Sequence, residues 1–192
     1  MKRVTQLMLI GLISFFTFNA EAEEEQLSVT SSDFLLEGSA NIGDWNCSQE
    51  AAEGTMKVTH GEDGKQIQSL EVSIPVEEFS NCEPPRGSAS SMESSLHDYL
   101  EAEDHPYITF DLNRIHPDNL QDQNEFYGDL TVAGVSKTIR ATVTPNSQNG
   151  NITLSGAQDL NMTDFEIDPP TALLGAVRAR EDVKVDFELT FE

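Results

Sequence analysis

The chain has 192 residues, of which 34 are Asp or Glu and only 11 are Lys or Arg, a formal net charge of −23. A surface that acidic repels phosphate backbones and anionic headgroups, which argues against nucleic-acid binding and against electrostatic docking to membranes. With 38% hydrophobic residues the chain can bury one sizeable core, but it holds no apolar run of the roughly 20 residues a spanning helix needs.

In chain order, the first segment is an address. Lys2 and Arg3 precede an apolar run from Leu7 to Phe18, and Ala20-Glu21-Ala22 has the A-x-A form of a cleavage site. Residues 1–22 therefore read as a cleaved signal peptide, and residues 23–192 as one exported domain with no stable membrane anchor. Cys47 and Cys82 are the only cysteines. In an oxidising compartment an even pair reads as a disulfide, whereas the lack of a Cys-x-x-Cys spacing speaks against redox chemistry.

Two-residue alternation dominates the rest. Strands are expected over Gln26 to Gly38 and Gly54 to His60, and again where Leu70, Val72, Ile74 and Val76 alternate with Glu71, Ser73, Pro75 and Glu77. One segment breaks the pattern. Between Ser88 and Pro106, Met92, Leu96, Tyr99 and Leu100 recur at helical spacing, and Ser90 with Glu93 has the form of a capping box. This single amphipathic helix must lie on the sheet or across the mouth of a barrel.

Alternation resumes at Ile108, Phe110 and Leu112. The stretch Phe126 to Val143 then reads as a hairpin broken at Ala133-Gly134, with Phe126, Gly128, Leu130, Val132, Ile139, Ala141 and Val143 on one face. Pro145 to Gly150 and Asp168-Pro169-Pro170 read as loops around a strand at Asn151 to Leu160. The last strand puts Val183, Val185, Phe187, Leu189 and Phe191 on one side and charged residues on the other. About eight strands, each with one wet face, make a mostly antiparallel sheet. Their oily faces must meet in a sandwich or a closed barrel, and a barrel of that size either fills with its own side chains or holds one ligand.

Catalytic and cofactor patterns are missing. His60, His97, His105 and His116 lack metal-ligand spacing, Asp118 to Glu125 lacks the order of a calcium loop, and neither a Gly-x-Ser-x-Gly elbow nor a glycine-rich phosphate loop occurs. The expectation is a protein that is not an enzyme and carries no metal or cofactor.

Three stretches together carry a family resemblance. "SSMESSLHDYLEAEDHPYITFDL" resembles a short helix ending in Leu, an acidic linker and Pro-x-Ile-x-Phe. "FYGDLTVAGVSKTIRATV" is similar to a Gly-x-Leu-Thr hairpin that closes on Gly-Val-Thr-Lys, with Ser136 here in place of Thr. "LLEGSANIGDWNCS" resembles a His-Asp-Trp start, with Gly43 in place of His. The family is the YceI-like, polyisoprenoid-binding family of exported bacterial proteins, and the likeness runs from about Gln26 to Glu192.

The resemblance implies an extended, lipocalin-like antiparallel β-barrel, a periplasmic location and an interior that holds an isoprenoid-type lipid without charged partners. Wall candidates are Phe34, Trp45, Met56, Leu70, Val72, Ile74, Met92 and Leu96 in the first half of the chain. Ile108, Phe110, Leu130, Val132, Ile139, Phe165, Phe187 and Phe191 follow in the second half. Ordinary core packing accounts for each of them equally well. Arg178 and Arg180, just ahead of the last strand, are candidates for a lipid headgroup. The competing expectation is a structural or interaction protein with a filled barrel and an acidic face for a basic partner. The strand pattern selects neither a monomer nor a homodimer.

Overall fold

The computed structural model describes residues 24–61, 64–116 and 123–192. The signal segment read in residues 1–22 and most of the stretch from Asp118 to Glu125 fall outside them. The elements are β1 (Glu24–Ala40), β2 (Gly43–Gln49), β3 (Glu53–Gly61), β4 (Gly64–Pro75), β5 (Ser80–Glu83), α1 (Ala89–Tyr99) and β6 (Tyr107–His116). They continue with β7 (Asn124–Val132), β8 (Val135–Gln148), β9 (Asn151–Asn161), β10 (Thr171–Ala172) and β11 (Val177–Phe191). Single 3-10 turns at Val76–Glu78 and Met162–Phe165 follow β4 and β9.

Period-two patterning sets the strands, and their oily faces force closure. On β7, Asn124, Phe126, Gly128, Leu130 and Val132 are all buried while the residues between them are not. With no helical layer to cover such faces, the sheet must curl onto itself. The ring runs β11-β9-β8-β7-β6-β4-β3-β1, antiparallel throughout, and β1 returns to pair with β11 from Val29↔Phe191 to Ala40↔Ala179. The expected antiparallel barrel is formed, and the sandwich is not.

β1 is long because it serves several partners. Leu27 lies opposite Met56 of β3, and from Phe34 onward the same edge pairs with β2 while the other edge holds β11. β2 in turn carries β5 outside the ring.

The structure corrects the sequence reading at two points. Pro145 to Gly150 is not all loop: β8 runs to Gln148, with Pro145 buried opposite Leu154. Proline is tolerated because the β7–β8 ladder has already ended at Asn124↔Val143, so the missing N–H costs no bond on that side. The helix cap is also displaced. Ser88 Oγ accepts from the N–H of Ser91 at 3.3 Å, which starts the helix at Ala89 and leaves Ser90 inside its first turn. Glu93, expected to complete a box with Ser90, instead accepts from the Cys82 N–H at 3.4 Å.

That bond joins α1 to the disulfide. Cys47 of β2 and Cys82 of β5 are bonded across a separation of 35 residues, and both are buried. His97 on α1 adds a hydrogen bond to the Phe79 carbonyl at 3.1 Å. The helix is thereby clasped to the strand pair β2–β5, at the barrel end where β2 begins. Two residues beyond Cys47 along the same inward row, Gln49 is 1% exposed, and among the described residues neither of its amide heteroatoms has a hydrogen-bond partner.

Replacing both cysteines by serine is expected to lower unfolding free energy by about 4 kcal/mol, the chain-entropy value for a loop of this size; urea unfolding of the two forms measures it. Gln49→Met is expected to raise stability by about 1–2 kcal/mol, because it removes an unpaired buried amide while keeping the volume. The same titration checks it, and a loss of stability would mean that the amide is paired in solution.

Candidate functional site

The inward rows of the barrel enclose a cavity of about 390 Å³, within the roughly 300–1,000 Å³ of small-molecule sites. Its lining on β11 extends from Val177 to Leu189. At about 3.3 Å per residue and a strand tilt near 40°, that is roughly 30 Å along the barrel axis. The cavity is therefore long and narrow.

Its two ends differ. Where β11 finishes, Met56, Val58, Ile152 and Phe191 are all at 0% exposure and none of them lines the cavity. Packed at interior density, they stop that end. The opposite end, where β7 and β9 finish and β8 and β11 begin, is bordered by α1 through Met92, Ser95, Leu96 and Tyr99, and by Pro85, Arg86 and Ile42. The segment after β9 completes the rim with Met162, Phe165, Ile167, Pro170, Thr171 and Ala172. Of the two positions left open for the helix, on the sheet or across the mouth, it takes the one at the mouth.

Most of the wall candidates meet here. Phe34, Trp45, Leu70, Val72, Ile74, Met92, Leu96, Ile108, Phe110, Leu130, Val132, Ile139, Phe165 and Phe187 all line the cavity. Met56 and Phe191 do not: they belong to the packed end, and β3 supplies no lining residue at all. Arg178 and Arg180 do not either, because on β11 Val177 and Ala179 take the inward positions and the arginines alternate outward. Arg178 instead donates from Nε to the Gly175 carbonyl at 2.9 Å.

Among the described residues, Arg86 is the one charged side chain on the lining, with Ser95, Gln158, Asn161 and Thr171 as its polar company. Gln158 continues the inward row Ile152, Leu154, Gly156 of β9, so period-two counting finds it. Arg86 lies in a stretch that reads as a Pro-Gly loop and carries no such signal.

How the interior stays open despite its aromatic rings is a matter of three glycines. Gly38 lies opposite Trp45, Gly156 opposite Phe187, and Gly128 beside Phe110 two pairs along the β6–β7 ladder. A Cβ on any of them would overlap that ring. Each ring thus lies down over a bare backbone instead of standing into the lumen. Phe34 stacks on Phe187 from the other side, with ring centroids 6.4 Å apart and 29° between planes.

Groups with displaced titration all lie off the cavity. Glu25 is held below the usual carboxylate range by hydrogen bonds from Lys65, at 3.0 Å, and from His60. Asp129 is lowered by hydrogen bonds from Thr138 and Asn113, and the Lys184 ammonium is raised by its hydrogen bond to Asp186. Among the described residues no group of His, Cys, Asp and Glu has the arrangement of a metal site.

Residues 17–191 match the family model of the YceI-like domain. Among solved structures, BcnA of Burkholderia cenocepacia has a TM-score of 0.60 at 17% identity, covering 82% of this chain and 95% of that one. A polyisoprenoid binding domain from Saccharophagus degradans, implicated in plant cell wall breakdown, has a TM-score of 0.65 at 13% identity, over 86% of this chain and 97% of that one. The YCEI protein of Campylobacter jejuni has a TM-score of 0.53 at 17% identity, over 100% and 99%. No curated protein matches the chain. At these identities the likeness to the solved structures carries the fold.

Gly128→Val should drive the Phe110 ring into the lumen and crowd the Asp111 carbonyl, which also faces that position. The expected cost is about 1–3 kcal/mol of stability, together with a smaller cavity. Urea unfolding and uptake of an apolar fluorescent probe measure the two effects, and a variant unchanged in both would contradict the arrangement.

Proposed function

The chain belongs to the YceI-like domain family, and from that premise we propose that it is a non-enzymatic carrier or reservoir for one isoprenoid-type amphiphile. The observation that carries this reading is the shape of the interior: long, lined almost wholly by apolar side chains, stopped at one end and bordered by a single charge at the other. Burying apolar carbon is worth about 0.8 kcal/mol per methylene, so such a tunnel holds a polyprenyl or quinone-like tail without a polar partner along its length. The tail points toward Phe126 and Leu189, and the polar end stays at the rim with Arg86, Ser95 and Asn161.

That the relative from Saccharophagus degradans is a polyisoprenoid binding domain supports the ligand class. The proposed compartment is the periplasm. Export is favoured by the leader-like residues 1–22, and the Cys47–Cys82 bond persists best in an oxidising environment. The rival reading, a barrel filled by its own side chains and acting through its acidic surface, leaves no use for a cavity of about 390 Å³.

Native mass spectrometry of protein purified from its host is expected to show one long-chain amphiphile per chain; repeated recovery of stable, lipid-free protein would overturn the proposal. Phe110→Arg sets a guanidinium in the apolar wall and is expected to weaken retention about tenfold or more while the barrel still folds. Circular dichroism and the emission of Trp45, the lone tryptophan and itself part of the wall, read folding and occupancy separately.

A further inference from the structure

The hairpin at the rim of the cavity carries two leucines in an unfavourable setting. β10 pairs with the start of β11 at Thr171↔Arg178 and Ala172↔Val177. Between these pairs the chain turns through Leu173 and Leu174, both left-handed, with φ of 51° and 56°. The N–H groups of Gly175 and Ala176 donate to the carbonyls of Ala172 and Leu173 at 3.1 and 3.2 Å, which fixes the turn. Turns of this kind take Gly, Asn or Asp, because a branched side chain in the left-handed region is strained. Leu173 is 75% and Leu174 109% exposed, above every other exposed large apolar residue described. Strain and exposed oil thus coincide at one tip, and nothing within the described chain offsets either.

The position of the tip gives the pair a use. Thr171, Ala172 and Val177, the immediate neighbours, line the open end of the cavity. The leucines therefore stand on the rim through which any guest must pass.

Charge points the same way. Lys57, Lys65, Arg140 and Lys184 are each paired with a carboxylate, and Arg114 lies 4.3 Å from the centre of the Tyr127 ring. Among the described residues, the cations with neither a carboxylate nor a ring partner are Arg86, Lys137, Arg178 and Arg180. Arg86, Arg178 and Arg180 sit at the mouth, and Lys137 lies near the start of β8, at the same end. Guanidinium groups set beside an exposed apolar tip suit an interface where phosphates overlie hydrocarbon. Glu101, Glu103, Asp104 and Asp168 also lie on segments near the mouth, and the whole chain is acidic, so a strongly anionic surface would repel it.

We propose that the Leu173–Leu174 tip inserts reversibly into a zwitterionic phospholipid bilayer, with Arg178 and Arg180 against lipid phosphates, so that the open end of the cavity faces the layer with which a lipid is exchanged. This rests on the reading of the cavity as a lipid site, and it adds the partner surface. Two leucines give only weak attachment, which a carrier that must leave again requires.

The test separates docking from cavity binding. Wild type, Leu173→Asp/Leu174→Asp and Leu173→Phe/Leu174→Phe are mixed with phosphatidylcholine–phosphatidylethanolamine vesicles carrying a polyprenol, and uptake is followed by Trp45 emission. Cavity binding is measured apart, with farnesol added from ethanol and no vesicles. The aspartate variant is expected to take up polyprenol from vesicles about tenfold more slowly or worse, the phenylalanine variant to stay near wild type, and all three to bind farnesol alike. Equal vesicle uptake by the aspartate variant and wild type would overturn the docking proposal while leaving the cavity reading intact. Failure of wild type to bind farnesol would instead remove the cavity reading, and vesicle flotation of the three proteins would still decide the tip: flotation lost only in the aspartate variant supports it, and equal flotation or none refutes it. Matching circular dichroism across the three excludes misfolding.

Discussion

A ring of eight strands has barely enough room for its own inward side chains, so whether this barrel is hollow is decided by where its largest inward residues put their bulk. Three of them, Trp45, Phe110 and Phe187, lie over Gly38, Gly128 and Gly156, where no Cβ stands in the way. The glycines give up packing and conformational restriction, both of which a strand interior normally favours. In return the rings become part of the wall, and the axis remains open from the packed end to the rim.

Everything outside the lumen serves to hold that wall in place. The long β1–β11 ladder closes the ring, and the buried residues Met56, Val58, Ile152 and Phe191 fix one end. At the other end, the Cys47–Cys82 bond, the Glu93–Cys82 hydrogen bond and the His97–Phe79 contact tie the helix to β5. The molecule is therefore fixed at its packed end and, at the mouth, along the side of the helix. The rest of its rim is made of a 3-10 turn and a two-residue strand, elements with few ladder bonds, of the kind that open locally at low cost. That asymmetry suits a guest that is held along its tail and exchanged at its head.

Much of this was legible in the residues because a half-buried strand writes its burial in steps of two. The rows from Phe126 to Val132 and from Val183 to Phe191 face inward as their spacing says. Which end of the barrel a residue occupies is another matter: Met56 and Phe34 share a pattern but sit in the plug and the wall respectively, because register across β1, β3 and β11 is a long-range property. Arg178 and Arg180 carry positive charge beside the last strand, yet strand parity turns them outward, and the cation on the lining, Arg86, comes from a loop without periodicity. Gly38, Gly128 and Gly156 look like interruptions in sequence, and only the neighbouring rings explain them. Ser88 and Ser90 are equally good caps by type, so the actual helix start depended on where β5 and the disulfide deliver the chain.

The most direct measurement of the central claim is a crystal structure of the protein purified from its host, with attention to density inside the barrel. The account predicts one continuous elongated feature running from the rim near Arg86 and Met162 to the level of Phe126 and Leu189, with the rings of Trp45, Phe110 and Phe187 flat against the wall. Those rings turned into the axis, with the lumen filled by protein side chains, would contradict it.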